Sequence, residues 1–251
     1  MIAHRGASHV APENTLSALR SALAAGADMA EVDVRRTADG ALVLLHDESL
    51  ARTTDVEVQH PSRAPWRVQD FTLAEVRALD AGAWWSPTYV GEPVPTLAEA
   101  LEVVGRARSR ILIEVKQPKL YPGIEREVAA LLRGRWGVEV RAVVQSFDTE
   151  AMHRFAWEAP HVPTGLLAPI RRERMDRVAG WASYLNPHHR LVDRGHVDAI
   201  HAAGMQCLPW TADASRAIRR LLRAGVDGVI SNRPEVARAV REVEVGRQRA
   251  H

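Results

Sequence analysis

Three short segments near the start of the chain carry residues able to move protons and hold cations: Ala3-His4-Arg5-Gly6, Glu31-Val32-Asp33 and His46-Asp47. A fourth, Glu114-Val115-Lys116, follows later. A phosphodiester repels an incoming nucleophile through its negative charge, and a divalent cation both neutralises that charge and polarises water. Imidazole, titrating at about pH 6.5, can give or take a proton at neutral pH. Two imidazoles beside acidic and basic groups therefore suit phosphodiester hydrolysis. Glu31, Asp33 and Glu114 are hard oxygen donors, a set that suits one Mg²⁺ or Ca²⁺ ion, or Mn²⁺, and disfavours zinc.

The elements that must position these groups are legible. In an extended strand residues two apart share a face, so Met29-Ala30-Glu31-Val32-Asp33-Val34 puts both carboxylates on one side and apolar residues on the other. Two buried, adjacent carboxylates are costly unless a cation lies between them; a half-exposed strand with its polar face in water is the plainer alternative. Asp39-Gly40 between two strand-like runs signals a two-residue hairpin turn. With that loop Ala38 pairs with Ala41 and Asp33 faces His46, their β-carbons roughly 5 Å apart.

With these residues in view, the chain resembles the glycerophosphodiester phosphodiesterase family. The resemblance is carried by His4-Arg5-Gly6, Pro12-Glu13-Asn14-Thr15, Glu31-Val32-Asp33, Thr37-Ala38-Asp39-Gly40, His46-Asp47 and Leu50-Ala51-Arg52-Thr53-Thr54. It continues through Pro95-Thr96-Leu97, Glu114-Val115-Lys116, Gln145-Ser146-Phe147, Trp210-Thr211 and Gly225-Val226-Asp227-Gly228, in the family's order along nearly the whole chain. One departure is Ser231-Asn232, where the family often has an aspartate after the last strand. The resemblance implies metal ligands at Glu31, Asp33 and Glu114, and a catalytic pair at His4 and His46. His4 is assigned as base and His46 as acid, with the reverse order left open. Arg5, Lys116 and Trp210 are expected to contact the phosphate or substrate, salt bridges within the site being the alternative for Arg5 and Lys116. Glu13 and Asn14 are expected to hold the first loop and cap the first helix, Asn14 reaching His4 or the phosphate; Asp47 either orients a histidine or serves a turn.

Alternating strand-like and helical runs fit an α/β fold, a TIM (β/α)8 barrel. Strands are expected near Ile2–His4, Met29–Val34, Ile111–Val115, Ala142–Gln145, Thr164–Leu167, Ala182–Leu185, Gln206–Trp210 and Gly228–Ile230. Helices are expected over Thr15–Ala25, Leu97–Arg106, Gly123–Arg133 and Ala214–Ala224, with a last helix from about Pro234 capped by Asn232. His4, Glu31, Asp33, Glu114, Lys116, Gln145 and Trp210 all fall at the carboxyl ends of strands, where barrel active sites gather. The chain reads as one domain, 1–251, with a small insertion over the barrel mouth at 47–94. Trp84 and Trp85 in that insertion could line the pocket edge, and at least one of them is expected simply to pack it onto the barrel.

The 251 residues suffice for a substantial core. With 33 basic and 31 acidic side chains the charge is nearly balanced, which argues against nucleic acid as a partner. No apolar run approaches a membrane span. The single cysteine, Cys207, excludes an internal disulfide and reads as a small core residue. With the His4 motif at the very start, no signal peptide is expected, and a cytoplasmic location follows. His188-His189 could touch the site rim; His153, His161, His196 and His201 read as ordinary positions, and His251 as a mobile end.

The resulting expectation is metal-dependent hydrolysis of small-molecule glycerophosphodiesters to glycerol 3-phosphate and an alcohol. A lysophospholipase D-like enzyme acting on lipids, and a non-catalytic barrel binding phosphate compounds, are the alternatives.

Overall fold

The computed structural model describes residues 1–134, 136 and 140–249, with side chains through 246; His251 lies outside them. Strands β1 (Ile2–Ala3), β2 (Met29–Arg36), β4 (Arg110–Val115), β5 (Arg141–Ser146), β6 (Thr164–Leu166), β7 (Tyr184–Leu185) and β8 (Ile230–Ser231) lie in the order β7-β6-β5-β4-β2-β1-β8, all parallel. A further strand, β3 (Leu42–Leu44), pairs antiparallel with β2 off that path. The ring is completed by residues 206–210, expected as a strand. They form isolated parallel bridges, Tyr184 to Gln206 and His188 to Trp210, and Ile230 N donates to the Pro209 carbonyl. Pro209 brings no N–H, so a regular ladder cannot run through it. The result is the expected (β/α)8 barrel.

Period-two alternation sorts the strand residues into two layers. Ala30, Val32 and Val34 of β2 and Ile111, Ile113 and Val115 of β4 pack outward in one buried cluster with helices Leu97–Arg106 and Ile124–Arg133. Ile2, Met29, Leu112, Val143, Leu208 and Ile230 meet in another, filling the lower barrel interior. One step further along the inward faces come Glu31, Glu114 and Gln145, all buried. An apolar floor thus carries a polar upper layer.

The helices follow their local signals. Leu97–Arg106 begins at a capping box, Thr96 with Glu99, and buries Leu97, Ala100, Leu101 and Val104, the spacing of one helical face. Thr15, not Asn14, caps helix Leu16–Ala24, accepting from Ala18 N. The last helix does start at Pro234, but Asn232 does not cap it; its side chain bonds Asp213 and His4 instead.

The β2–β3 hairpin departs from expectation by one residue. Val34 faces Leu44 and Arg35 faces Val43, so Asp33 falls opposite Leu45, not His46. The loop holds three residues, 38–40. Thr37 N donates to Ala41 O, Gly40 N donates to Thr37 O, and Gly40 takes the left-handed conformation at φ +88°. A turn ending in a left-handed glycine is the usual three-residue alternative to the two-residue loop. Beyond the hairpin, residues 47–94 contain the short helices Val56–Gln59 and Leu73–Arg77. Leu50, Val56, Val68, Phe71, Val76, Leu79, Ala81 and Val94 close a separate small core over Val43 and Leu45.

Candidate active site

Strand order builds the acidic centre. β2 and β4 are neighbours, in a register that sets Asp33 beside Glu114; Glu31, two residues earlier, shares the inward face. One carboxylate oxygen from each of the three lies within 4.8 Å of the others, and all three residues are buried. Two cations answer them. Lys116 Nζ is 2.5 Å from Glu114 Oε1 and 3.5 Å from Asp33 Oδ1, and Arg5 Nε is 3.2 Å from Asp33 Oδ2. Arg5 N also donates to Glu31 Oε2 at 2.7 Å. Asn14, reaching neither His4 nor open space, grips Asp33 twice: Nδ2 donates to Oδ2 at 2.9 Å and Oδ1 accepts from Asp33 N at 3.0 Å.

The three acids are electrostatically unlike. Burial, then repulsion from Asp33 and Glu114, pushes the Glu31 carboxyl well above its ordinary range. Burial and Asp33 push Glu114 up to about 7, against the pull of Lys116. Asp33 is held below its ordinary range, since Lys116, Arg5 and the histidines together outweigh its burial. Glu31 Oε1 and Asp33 Oδ1 are buried without a hydrogen-bond partner among the described residues. Buried polar atoms are normally satisfied, and clustered hard oxygens with lone pairs to spare fit a divalent cation of the Mg²⁺ or Ca²⁺ kind.

A tight turn brings the first motif over this centre. Arg5 and Gly6 both adopt left-handed backbone, φ +55° and +78°. A β-carbon on Gly6 would sit 2.6 Å from the Ala18 carbonyl carbon, so only glycine fits there. Left-handed backbone at a non-glycine residue such as Arg5 costs about 1–3 kcal/mol and tends to occur where function demands it. His4, mostly buried at the end of β1, points Nε2 to within 4.0 Å of Glu31 Oε2. Burial, then Arg5, pushes its imidazole down to about 4. His46, past the end of β3, sets Nδ1 2.6 Å from Asp47 Oδ1. Asp47 is pinned by Arg52, which also bonds Glu13, and Glu13 holds Arg5 at 2.9 Å. Arg35 fixes the His46 carbonyl through Nη2 and Nε at 2.6 and 3.0 Å. Burial lowers the His46 imidazole as well, with Asp33 and Asp47 opposing.

Despite the shifted hairpin register, His46 reaches the centre. A cavity of about 270 Å³ is lined by His4, Arg5, Glu31, His46, Glu114 and Lys116, with Trp210 on its wall. The expected site residues thus converge, Asp33 lying just beneath. In this structure Arg5 and Lys116 both pair with carboxylates, the salt-bridge alternative. A larger cavity, about 750 Å³, shares His46, Glu114, Lys116 and Phe147 with the first and continues past Pro118 and Leu120. Trp84 and Trp85 line neither; they stack edge-on at 5.6 Å, with Trp84 Nε1 donating to Ala81 O. His188 packs on Trp210 at 5.3 Å, a rim position. Gln145 accepts from Asn186 Nδ2 at 2.8 Å.

Two residues of this assembly have places that the sequence does not assign, although Phe147 lies within the Gln145-Ser146-Phe147 motif. Phe147, 53% exposed, stands between the two cavities and meets Trp210 edge-on at 5.4 Å. Asp213 holds Asn232 behind His4. Asp213 follows Trp210-Thr211 by two positions, a proximity that was the one available hint.

An α/β barrel with a buried acidic triad at the carboxyl ends of its strands, flanked by two histidines in one cavity, defines a barrel enzyme equipped for an anionic substrate. The chain belongs to the glycerophosphoryl diester phosphodiesterase family, whose model matches residues 4–236. It is 36% identical over 243 residues to a glycerophosphodiester phosphodiesterase of Caldanaerobacter subterraneus, covering 94% of each chain. A glycerophosphodiester phosphodiesterase of Bacillus subtilis is 32% identical over 260 residues, covering 96% of this chain and 86% of that one. Among solved structures, an Oleispira antarctica phosphodiesterase in complex with the product sn-glycerol-3-phosphate superposes with a TM-score of 0.87. It is 30% identical, over 96% of both chains.

Proposed function

We propose that this protein hydrolyses glycerophosphodiesters to glycerol 3-phosphate and an alcohol in a reaction that depends on one divalent cation. The observation that carries this is the meeting of Glu31, Glu114, His4 and His46 around one cavity of about 270 Å³, with Asp33 beneath. The resemblance to a phosphodiesterase holding sn-glycerol-3-phosphate supports the product. Glu31, Asp33 and Glu114 would hold the ion, Mg²⁺ or Ca²⁺; when bound, it supplies charge neutralisation at the phosphate and polarisation of the attacking oxygen.

The protein's own groups do the rest. Arg5 and Lys116 exchange part of their carboxylate contacts for the phosphate oxygens, Arg5 through its planar fork. Trp210 bounds the glycerol side. His4, held neutral by its low pKa, has a lone pair to accept the nucleophile's proton. His46 gives its proton to the departing alkoxide. Asp47 at Nδ1 favours the imidazolium, and the arriving phosphodiester anion adds to that. The nucleophile is water or a neighbouring substrate hydroxyl, which would give a cyclic phosphate first. The 47–94 insertion contributes Asp47 and Glu48 to the wall of the larger cavity, and we read it as part of the mouth. The lone buried cysteine suits a reducing, cytoplasmic setting.

A coupled assay for glycerol 3-phosphate across a head-group panel, with and without EDTA, tests the reading. His46→Ala should lower kcat by about 10²–10⁴-fold while Mg²⁺ or Ca²⁺ binding persists. Wild-type rates in that variant, or rates indifferent to EDTA, would refute it. The larger cavity, with Leu120 and Phe147 at its edge, favours one second reading, a lysophospholipase D-like activity. Faster turnover of lysophosphatidylcholine than of glycerophosphocholine would select it.

A further inference from the structure

The imidazole of His4 is bound from behind by a chain of polar groups drawn from distant parts of the barrel. His4 Nδ1 lies 2.6 Å from Asn232 Oδ1. Asn232 Nδ2 donates to Asp213 Oδ2 at 2.7 Å, and Asn232 N donates to Asp213 Oδ1 at 2.8 Å. Ser231 Oγ also donates to Asp213 Oδ1, at 2.9 Å. Ser8 Oγ, with one proton to give, sits 2.9 Å from both the His4 carbonyl and Asn232 Oδ1.

The chemistry of these groups leaves one consistent arrangement. An ionised carboxylate only accepts, so the face of the Asn232 amide toward Asp213 must be its NH₂. Turning the amide over would set oxygen against oxygen at 2.7 Å. The amide oxygen is then committed to His4, and an amide oxygen only accepts. Nδ1 must therefore carry the proton, which leaves Nε2 as the ring's lone pair. Nε2 faces the cavity, and at 4.0 Å Glu31 Oε2 is too far to hydrogen-bond it.

We propose that Asp213 and Asn232 form a positioning relay that fixes His4 in the Nδ1–H tautomer and aims Nε2 into the cavity as its base. The role of Nε2 as base rests on the reaction proposed above; the tautomer does not. Asp213 sets the orientation of the Asn232 amide, and the amide sets the tautomer of the ring. A neutral amide performs the task without placing a charge against the imidazole, because the carboxylate stands one residue further back.

Ring ¹⁵N spectra of histidine-labelled protein, with and without added Mg²⁺, read the tautomer directly. The intact protein should show His4 with a pyrrole-type Nδ1 and a pyridine-type Nε2. Asp213→Asn frees the Asn232 amide to turn, so both His4 signals should move toward a tautomer mixture, and kcat on glycerophosphocholine should fall about tenfold with KM little changed. Exchanging the two groups, Asp213→Asn together with Asn232→Asp, restores an acceptor at Nδ1 and a donor–acceptor match behind it. That double variant should again show a protonated Nδ1 and regain part of kcat; with a carboxylate now directly against the ring, the imidazole should also hold its second proton to a higher pH than in the intact protein. An unprotonated Nδ1 in the intact protein would overturn the relay. Unaltered ring signals in Asp213→Asn, or no recovery in the exchange, would do the same. The spectra need no substrate, so a protein inactive on glycerophosphocholine but showing the expected ring signals would refute the reaction and leave the relay standing.

Discussion

Replacing Glu31 by glutamine should separate its proposed part in holding a cation from the cost of its charge in the cation-free protein. The three acidic oxygens lie within 4.8 Å of one another. At an effective dielectric near 20, each fully ionised pair at that spacing repels by about 3.5 kcal/mol. In the cation-free protein this repulsion, added to burial, raises the Glu31 carboxyl well above its ordinary range, so its charge is held at a cost. Glutamine has nearly the same shape and no charge, so cation-free Glu31→Gln should melt within a few degrees of wild type, or above it. The cation-bound state differs. An ion present at 100 times its Kd stabilises the native protein by about 2.7 kcal/mol. For a chain of this size that raises Tm by about 5–11 °C. A tenfold loss of affinity at the same ion concentration leaves only about 1.4 kcal/mol, roughly half the Tm gain. Calorimetric melts over a titration of MgCl₂ and then CaCl₂ measure this without substrate. Equal ion-induced gains in wild type and variant would refute the ligand role of Glu31, and no gain in wild type with either ion would refute the cation site.

Three further outcomes follow from particular groups. Glu114 is raised to about 7 in the cation-free protein. The folded state therefore binds more protons than the unfolded chain between about pH 4.5 and 7, and this group's contribution to cation-free stability declines as pH rises through that window. Cation affinity should climb over the same range and level off above about pH 7; titration calorimetry at three pH values would show a flat profile if the reasoning fails. Gly6→Ala forces a side chain onto left-handed backbone and a β-carbon to 2.6 Å from the Ala18 carbonyl carbon. A loss of about 2 kcal/mol or more in urea unfolding is expected, and a ΔΔG near zero would mean that the turn relaxes. Burial pushes the Cys207 thiol up to about 12, so at pH 8 it should react with a disulfide reagent only after denaturation; prompt labelling of native protein would contradict its place in the core.

Much of this site was legible before any tertiary structure, for local reasons. Glu31 and Asp33 share a face because strand side chains alternate, and Glu114 and Lys116 share one for the same reason. Helix Leu97–Arg106 was delimited correctly because Thr96 and Glu99 form a capping box a few residues apart. The hairpin register differs from the sequence expectation by one residue because Asp39-Gly40 is compatible with both a two-residue and a three-residue loop. The choice fell to the left-handed Gly40 and to Thr37, whose side chain accepts from Ala41 N and lies 2.6 Å from Asp39 Oδ1. Asn14 and Asn232 were both expected as helix caps, a sound local preference, yet each spends its amide on a partner from another strand end.

The amino-acid pattern alone therefore determined the barrel class, the chemical types at the strand ends and most helix limits, since periodicity and capping act over a few residues. Tertiary structure decided that β2 lies against β4, so that Asp33 meets Glu114. It also decided that left-handed backbone at Arg5 lays the first motif over the acids, and that Asp213 stands behind Asn232 and His4. Those contacts join residues up to 228 positions apart. Their existence depends on strand order and loop conformation, which the whole chain settles together and no short stretch encodes.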